Sequence, residues 1–94
     1  MSEWVWMDGR IVPATEAMVP VSDRSFLYGD GLFESLPWDS GRLFRWRAHW
    51  DRLKAGAAFL NIRIPADEAE VRAGIRAITT PLTTAQATVR LHLS

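Results

Sequence analysis

Apolar and polar residues alternate with a period of two at both ends of the chain, which is the pattern of half-buried β-strands. Residues 4–7 and 10–12 are aromatic or β-branched runs around the turn dipeptide Asp8-Gly9, and they predict a β-hairpin. Residues 87–94 alternate strictly, with Val89, Leu91 and Leu93 on one face. The chain therefore begins and ends with predicted β-structure.

A second hairpin is predicted over residues 32–38 and 42–46, because Asp39-Ser40-Gly41 between them has turn chemistry. In its first strand Phe33 points to one face, whereas Glu34 points to the other face with leucines on both sides. A carboxylate there needs a partner, unless the strand is an exposed edge where it meets water. Residues 16–21 follow Pro13 and include Pro20, and they predict a connector or at most an edge strand.

The apolar period changes to that of a helix in the middle of the chain. One apolar stripe, expected to be core, consists of Trp46, Trp50, Leu53, Ala57 and Leu60. A second helix follows Pro65 with a first turn of capping-box type at residues 67–70, and it ends before Pro81. The order of elements predicts an α+β domain with two helices on one face of a mainly antiparallel sheet.

Length and charge restrict the classes of protein that fit. The 94 residues suffice for one domain, 1–94. With 11 basic and 11 acidic side chains, nothing favours nucleic acid as a partner. No apolar stretch approaches the ~20 residues that cross a bilayer, and the start lacks a secretory signal, so we expect no membrane association and a cytoplasmic location. Without cysteine, and with its two histidines far apart, the chain predicts no metal site.

Residues 22–34 contain the densest group of special residues. Gly29 and Gly31 can adopt positive φ or allow a ligand to approach, and Asp30 between them can brace a turn. A tight turn that leads into a strand explains the same residues, because this spacing alone is no phosphate-binding motif.

A second candidate group lies on the first long helix. His49, Arg52, Gly56 and Phe59 form a stripe beside the apolar one, with a glycine that permits close packing. The planar, always charged fork of Arg52 suits a phosphate or a carboxylate. The alternative is a surface arginine together with a histidine that bonds to the backbone at the start of the helix.

Four segments in the same order and spacing resemble the N-terminal part of the class IV pyridoxal-phosphate aminotransferases, which have fold type IV. The family includes branched-chain aminotransferases, D-amino-acid aminotransferases and aminodeoxychorismate lyases. The segments are Trp6-Met7-Asp8-Gly9-Arg10, Ser22-Asp23-Arg24 with Tyr28-Gly29-Asp30-Gly31-Leu32-Phe33-Glu34, Gly41-Arg42-Leu43-Phe44, and His49-Trp50-Asp51-Arg52-Leu53.

The resemblance implies a role for five residues. Arg52 would bind the phosphate of pyridoxal 5'-phosphate, and His49 would support the start of that helix. Tyr28 and Phe33 match positions that line the substrate pocket, and Glu34 matches the acidic residue usual in the aminotransferases. Because lyase members would carry a small hydroxyl residue at the position of Glu34, transamination is favoured.

The resemblance also implies that part of the enzyme lies elsewhere. The chemistry requires a Schiff-base lysine, and Lys54 lies on the wrong side of the helix to share a pocket with Arg52. We therefore expect an N-terminal domain, inactive alone, whose catalytic lysine lies beyond Ser94 in a C-terminal domain, and a homodimer that acts on an amino acid and a 2-keto acid. The alternatives are an aminodeoxychorismate lyase of the same fold and a non-catalytic binding module.

Overall fold

The computed structural model describes residues 3–29 and 31–94, and within them the chain forms five β-strands and three α-helices. In chain order they are β1 (Trp4–Met7), β2 (Arg10–Pro13), α1 (Arg24–Tyr28), β3 (Leu32–Asp39), β4 (Arg42–Leu43), α2 (Trp46–Phe59), α3 (Glu68–Thr79) and β5 (Gln86–Leu93). A 3-10 turn, Ala14–Glu16, follows β2 and opens the predicted connector. Asp30, predicted to brace a turn between two glycines, lies outside the described residues.

The strands form two antiparallel sheets rather than one. β1 pairs with β2, and the second sheet has the order β4-β3-β5. Both predicted hairpin turns are confirmed, because their central residues have the positive φ angles that right-twisted two-residue turns require. These residues are Asp8 (φ 52°) and Gly9 (φ 81°) in the first turn, and Ser40 (φ 51°) and Gly41 (φ 90°) in the second.

The second hairpin is shorter than predicted, and α2 ends one residue before the predicted stripe does. Trp46 was expected both at the end of a strand and in the apolar stripe of the helix. It begins α2 and is buried, and its ring stacks on Trp50 one turn later at 5.5 Å between ring centroids. At the other end, Asn61 adopts φ 58° and Ile62 donates to the carbonyl of Ala57, which terminates the helix. Leu60 therefore lies past the helix and is exposed, so its prediction as core was wrong.

One hydrophobic core lies between the helices and the sheets. Its buried members are Leu36, Trp38, Trp46, Trp50, Leu53, Val71, Ile75 and Val89. Helix α2 packs mainly on β3, and α3 packs mainly on the β1–β2 hairpin, where Gly74 faces the ring of Trp6. The predicted α+β organisation, with two helices on antiparallel strands, is confirmed. None of the helices in residues 3–29 and 31–94 is long and apolar enough to span a bilayer.

Helix α3 begins with the predicted capping box. The side chain of Asp67 accepts from the backbone N–H of Glu70 at 2.8 Å, and the side chain of Glu70 accepts from the backbone N–H of Asp67 at 3.4 Å. Helix α1 was not predicted. Its N-terminus is capped by Asp23, whose Oδ2 accepts from the backbone N–H of Phe26 at 3.2 Å. At five residues, α1 is too short to show a periodic apolar stripe.

Candidate functional site

Three of the predicted site residues meet at one carboxylate, and we call Glu34, His49 and Arg52 the Glu34 cluster. Oε1 of Glu34 lies 2.6 Å from Nδ1 of His49 and 2.7 Å from Nη2 of Arg52. Nε of Arg52 donates to Oε1 at 3.1 Å and to Oε2 at 3.0 Å. The two α2 residues, separated by three positions, thus converge on one residue of β3.

The local sequence explains why the strand and the helix approach so closely at this point. Along β3, burial alternates strictly, so Glu34 shares the buried face with Leu36 and Trp38. On α2, His49 and Arg52 lie one turn apart on the same face. Gly56 follows one turn later, and a Cβ there would lie only 3.1 Å from Cδ1 of Leu32. The glycine therefore lets α2 lie directly on β3, as its position in the stripe predicts.

The cluster combines a buried anion with an exposed cation. The side chain of Glu34 is 8% exposed, whereas that of Arg52 is 70% exposed. The hydrogen bonds from Arg52 keep the pKa of Glu34 below its ordinary value, and the bonds from His49 act in the same direction. Glu34 in turn raises the pKa of Arg52. The carboxylate is thus ionised and paired, and the alternative of an exposed edge strand where Glu34 meets water is wrong.

The guanidinium of Arg52 keeps an unused donor. Glu34 receives bonds from Nε and Nη2, and within the described part of the chain Nη1 has no hydrogen-bond partner. Because a guanidinium is planar and rigid, holding one edge fixes the direction of the other. The arrangement can therefore bind an anion with oxygens in a fork geometry, such as a phosphate or a carboxylate.

Phe33 lies on the opposite face of the sheet from the Glu34 cluster. Its side chain is exposed, and the guanidinium carbon of Arg90 lies 4.3 Å from its ring centroid. The ring of His92, the residue paired with Phe33 across β3 and β5, lies 6.5 Å away at a tilt. This open face thus presents an aromatic ring beside a cation.

Tyr28 is the last residue of α1. It is exposed, and the guanidinium carbon of Arg24 lies 4.8 Å from its ring centroid. The structure therefore brings Glu34, His49 and Arg52 together and leaves Phe33 and Tyr28 at separate positions on the surface. The roles assigned to these five residues remain predictions.

Two contacts were missed at the level of sequence. Arg90 lies against Phe33 because its strand pairs with β3, and pairing the two predicted strands in register would have found the contact. Asp23 also accepts from Oγ of Ser94 at 3.0 Å, which ties the start of α1 to the end of β5. No periodic signal marks a contact between residues so distant in the chain.

A family model described as amino-transferase class IV matches residues 31–94. Among curated proteins, the chain is similar to a D-alanine aminotransferase of Listeria monocytogenes, with 35% identity over 73% of this chain and 24% of the relative. It is also similar to an aminodeoxychorismate lyase of Vibrio harveyi, with 42% identity over 64% of this chain and 21% of the relative.

Among solved structures, the fold is similar to a branched-chain aminotransferase from Thermoproteus uzoniensis with norvaline. The TM-score is 0.84 at 29% identity, and the match covers 98% of this chain and 33% of the other. The chain thus spans about a quarter of the curated relatives and a third of the solved protein.

Proposed function

Since the chain belongs to the class IV aminotransferase family, we propose that it forms the small domain of a pyridoxal-phosphate-dependent enzyme that moves an amino group between an amino acid and a 2-keto acid. The observation that carries the proposal is the exposed guanidinium of Arg52 on α2, which is held at one edge by Glu34 of β3. Arg52 lies in the segment His49-Trp50-Asp51-Arg52-Leu53 that resembles the family, and this geometry suits a phosphate.

The described residues fit the phosphate group of the cofactor. Arg52 offers Nη1 as a donor, and its charge persists at any physiological pH because a guanidinium is always protonated there. The hydrogen bond to Glu34 raises its pKa further. His49, one turn earlier in α2, donates to Oε1, the same oxygen that accepts from Nη2 of Arg52, so it helps to fix the carboxylate. In this proposal Arg52 binds and orients the phosphate, and His49 and Glu34 keep the arginine in place.

The substrate side of the proposal depends on Phe33 and Tyr28. Both aromatic side chains are exposed at 55% and 66%, so both can be covered by a ligand or by another part of the protein. We assign them to the wall of the substrate pocket. The amino acid and the 2-keto acid would be excluded from water there by the ring faces.

The remaining chemistry would come from outside these residues. Bound pyridoxal phosphate supplies an electron sink for the reacting carbon of the substrate. The lysine that binds the cofactor covalently would lie in a further domain, because Lys54 is the one lysine of the chain and follows Arg52 by two positions on α2. A cytoplasmic homodimer is part of the same proposal.

The test is the affinity of the complete protein for pyridoxal phosphate after Arg52→Ala. We expect the dissociation constant to rise about tenfold, since a charge-assisted hydrogen bond to the phosphate is lost. Arg47→Ala is the matched control, because Arg47 is also an exposed α2 arginine paired with a glutamate. Absorbance titration of the bound cofactor measures both. An unchanged affinity for Arg52→Ala would favour the non-catalytic binding module instead.

An aminodeoxychorismate lyase is the second candidate, and it is favoured by the 42% identity to the lyase of Vibrio harveyi. Glu34 argues for transamination, because the resemblance leads us to expect a small hydroxyl residue there in lyases. Pyruvate release from aminodeoxychorismate by the complete protein would identify the lyase. Amino transfer to a 2-keto acid without pyruvate release would identify the aminotransferase.

A further inference from the structure

The side chain of Glu34 is directed away from the face on which a substrate would meet Phe33. The two residues are neighbours in β3, and consecutive side chains of a strand point to opposite faces. Glu34 is buried against α2, whereas Phe33 is exposed. We propose that Glu34 is a positioning residue: it fixes the guanidinium of Arg52 so that Nη1 is presented to a phosphate, and it does not contact the substrate itself. This inference rests on the proposed function.

The carboxylate of Glu34 has little capacity left for a ligand. A carboxylate has about four acceptor sites. Three N–H groups occupy most of them: Oε1 accepts from His49 Nδ1 and Arg52 Nη2, and the N–H of Arg52 Nε is shared between Oε1 and Oε2. A substrate group would have to reach the one remaining site, on Oε2, of a side chain that is only 8% exposed. The influence of Glu34 on a ligand therefore acts through the residues that it holds.

Holding Arg52 favours phosphate binding through conformational entropy. An unpaired surface arginine samples many rotamers. A ligand that immobilises it binds more weakly, because the lost rotamer entropy is subtracted from the binding free energy. The side chain of Arg52 is 70% exposed, so protein packing alone does not restrict it, and the bonds to Glu34 are what fixes the guanidinium. A phosphate arriving at Nη1 meets an arginine that is already ordered.

The negative charge of Glu34 acts in the opposite direction, because it reduces the attraction between Arg52 and an anion. The two effects are separable by substitution. Glu34→Gln removes the charge but keeps one carbonyl oxygen, which in the place of Oε1 can still accept from Nη2 of Arg52 and from Nδ1 of His49. Glu34→Leu removes the acceptor and retains a side chain of similar size among the leucines of β3. Positioning predicts that the two variants differ, whereas charge screening predicts that they change together.

The experiment is a titration of the 94-residue chain with inorganic phosphate, followed by the NMR signal of the Nε–H group of Arg52. In the wild type we expect a distinct, ordered signal that shifts with phosphate. Glu34→Leu should bind phosphate about three- to tenfold more weakly, while Glu34→Gln should stay within about twofold of the wild type. Glu68→Leu is the matched control, because it removes the carboxylate paired with Arg47 on the same helix. It should leave phosphate affinity unchanged.

Each other outcome has a definite meaning. The positioning role is overturned if both Glu34 variants bind phosphate as tightly as the wild type or more tightly, or if Glu34→Gln is as weak as Glu34→Leu. If Glu34→Leu does not fold, a motionally averaged Arg52 signal in the wild type overturns it, and an ordered signal retained in Glu34→Gln supports it. If phosphate leaves the Arg52 signal unshifted in the wild type and in every variant, it is the phosphate contact of the proposed function that fails.

Discussion

Helix α2 is held by two carboxylates of very different character. In the Glu34 cluster, a strand residue bonds His49 and Arg52 in the first half of the helix. In a second group, the Glu68 cluster, Oε2 of Glu68 accepts from Trp46 Nε1 at 2.8 Å and from Arg47 Nη2 at 2.5 Å. Each carboxylate thus pairs with one exposed arginine and one ring N–H of the same helix. The chemistry is nearly the same, and the surroundings are not.

The two positions differ in whether the local structure accounts for an acidic residue there. Glu68 lies in the first turn of α3, where the helix dipole favours an acidic residue, and its side chain is 29% exposed. Glu34 has no such local reason to be acidic, because it is buried on an apolar strand face where a charge is costly. A buried charge that local structure does not require is the better indication of a functional role.

The largest expected effect concerns the free energy of unfolding after truncation of each carboxylate. Glu34→Ala should lower it by about 2 kcal/mol, because the half-buried His49 loses its partner, although exposed Arg52 regains water. Glu68→Ala should lower it by less, since both the carboxylate and Arg47 are open to solvent. Urea unfolding of both variants measures the difference. Equal losses would show that burial does not distinguish the two clusters.

Much of the fold could be predicted because its signals are local. The two Asp-Gly and Ser-Gly turns, the capping box at Asp67 and the alternation of β3 each depend on a few adjacent residues. The start of α2 was misplaced because Trp46 suits a strand and a helix equally well. Its bond to Glu68 of α3 is a tertiary contact that favours the helix, and its stacking on Trp50, one turn later, forms only within the helix.

The site was predictable only in part, because the contacts that assemble it are tertiary. The stripe predicted that His49 and Arg52 lie together, and the alternation of β3 predicted that Glu34 needs a partner there. That these are one group depends on the packing of α2 on β3 through Gly56, which no periodicity of a single element contains. The contact of Arg90 with Phe33 likewise required the register between β3 and β5.

The glycines that bring each helix close to its strands give the next comparison. Gly74→Ala would place a Cβ 2.5 Å from Cδ2 of the Trp6 ring, so the ring and its hairpin must move. We expect a net destabilisation of about 1 kcal/mol, since overpacking exceeds the gain in helix propensity. Gly56→Ala meets the two methyl groups of Leu32, Cδ1 at 3.1 Å and Cδ2 at 3.2 Å, and this flexible side chain needs to shift by only a few tenths of an ångström.

The free energy of unfolding of Gly56→Ala should therefore stay close to that of the wild type, because the gain in helix propensity offsets the tighter contact. Thermal unfolding of the two variants tests the pair. A larger loss of stability for Gly56→Ala than for Gly74→Ala would mean that α2 has no room to adjust above Leu32. The packing of α2 on β3 that supports the Glu34 cluster would then be more rigid than the packing of α3 on the β1–β2 hairpin.

The smallest expected effect concerns how the stability contributed by each cluster changes in acid. The pKa of Glu34 is held below its ordinary value of 4.5, first by the hydrogen bond from Arg52, and that of Glu68 is lowered first by the bond from Trp46. A carboxylate whose folded pKa is lowered stabilises the fold above its unfolded pKa, and this stabilisation is lost as the pH falls through the folded pKa. Both clusters should therefore weaken in acid.

Salt and substitution then distinguish the two contributions. Unfolding free energies measured from about pH 7 down to about pH 3 should fall less steeply for Glu34→Gln and for Glu68→Gln than for the wild type, because each variant lacks one titrating group. High salt should reduce the acid dependence that Glu68 contributes more than that of Glu34, since exposed pairs are screened and buried ones much less. If the Glu34→Gln curve runs parallel to that of the wild type in acid, the buried carboxylate is not stabilised by Arg52 and His49, and the contrast between the two clusters disappears.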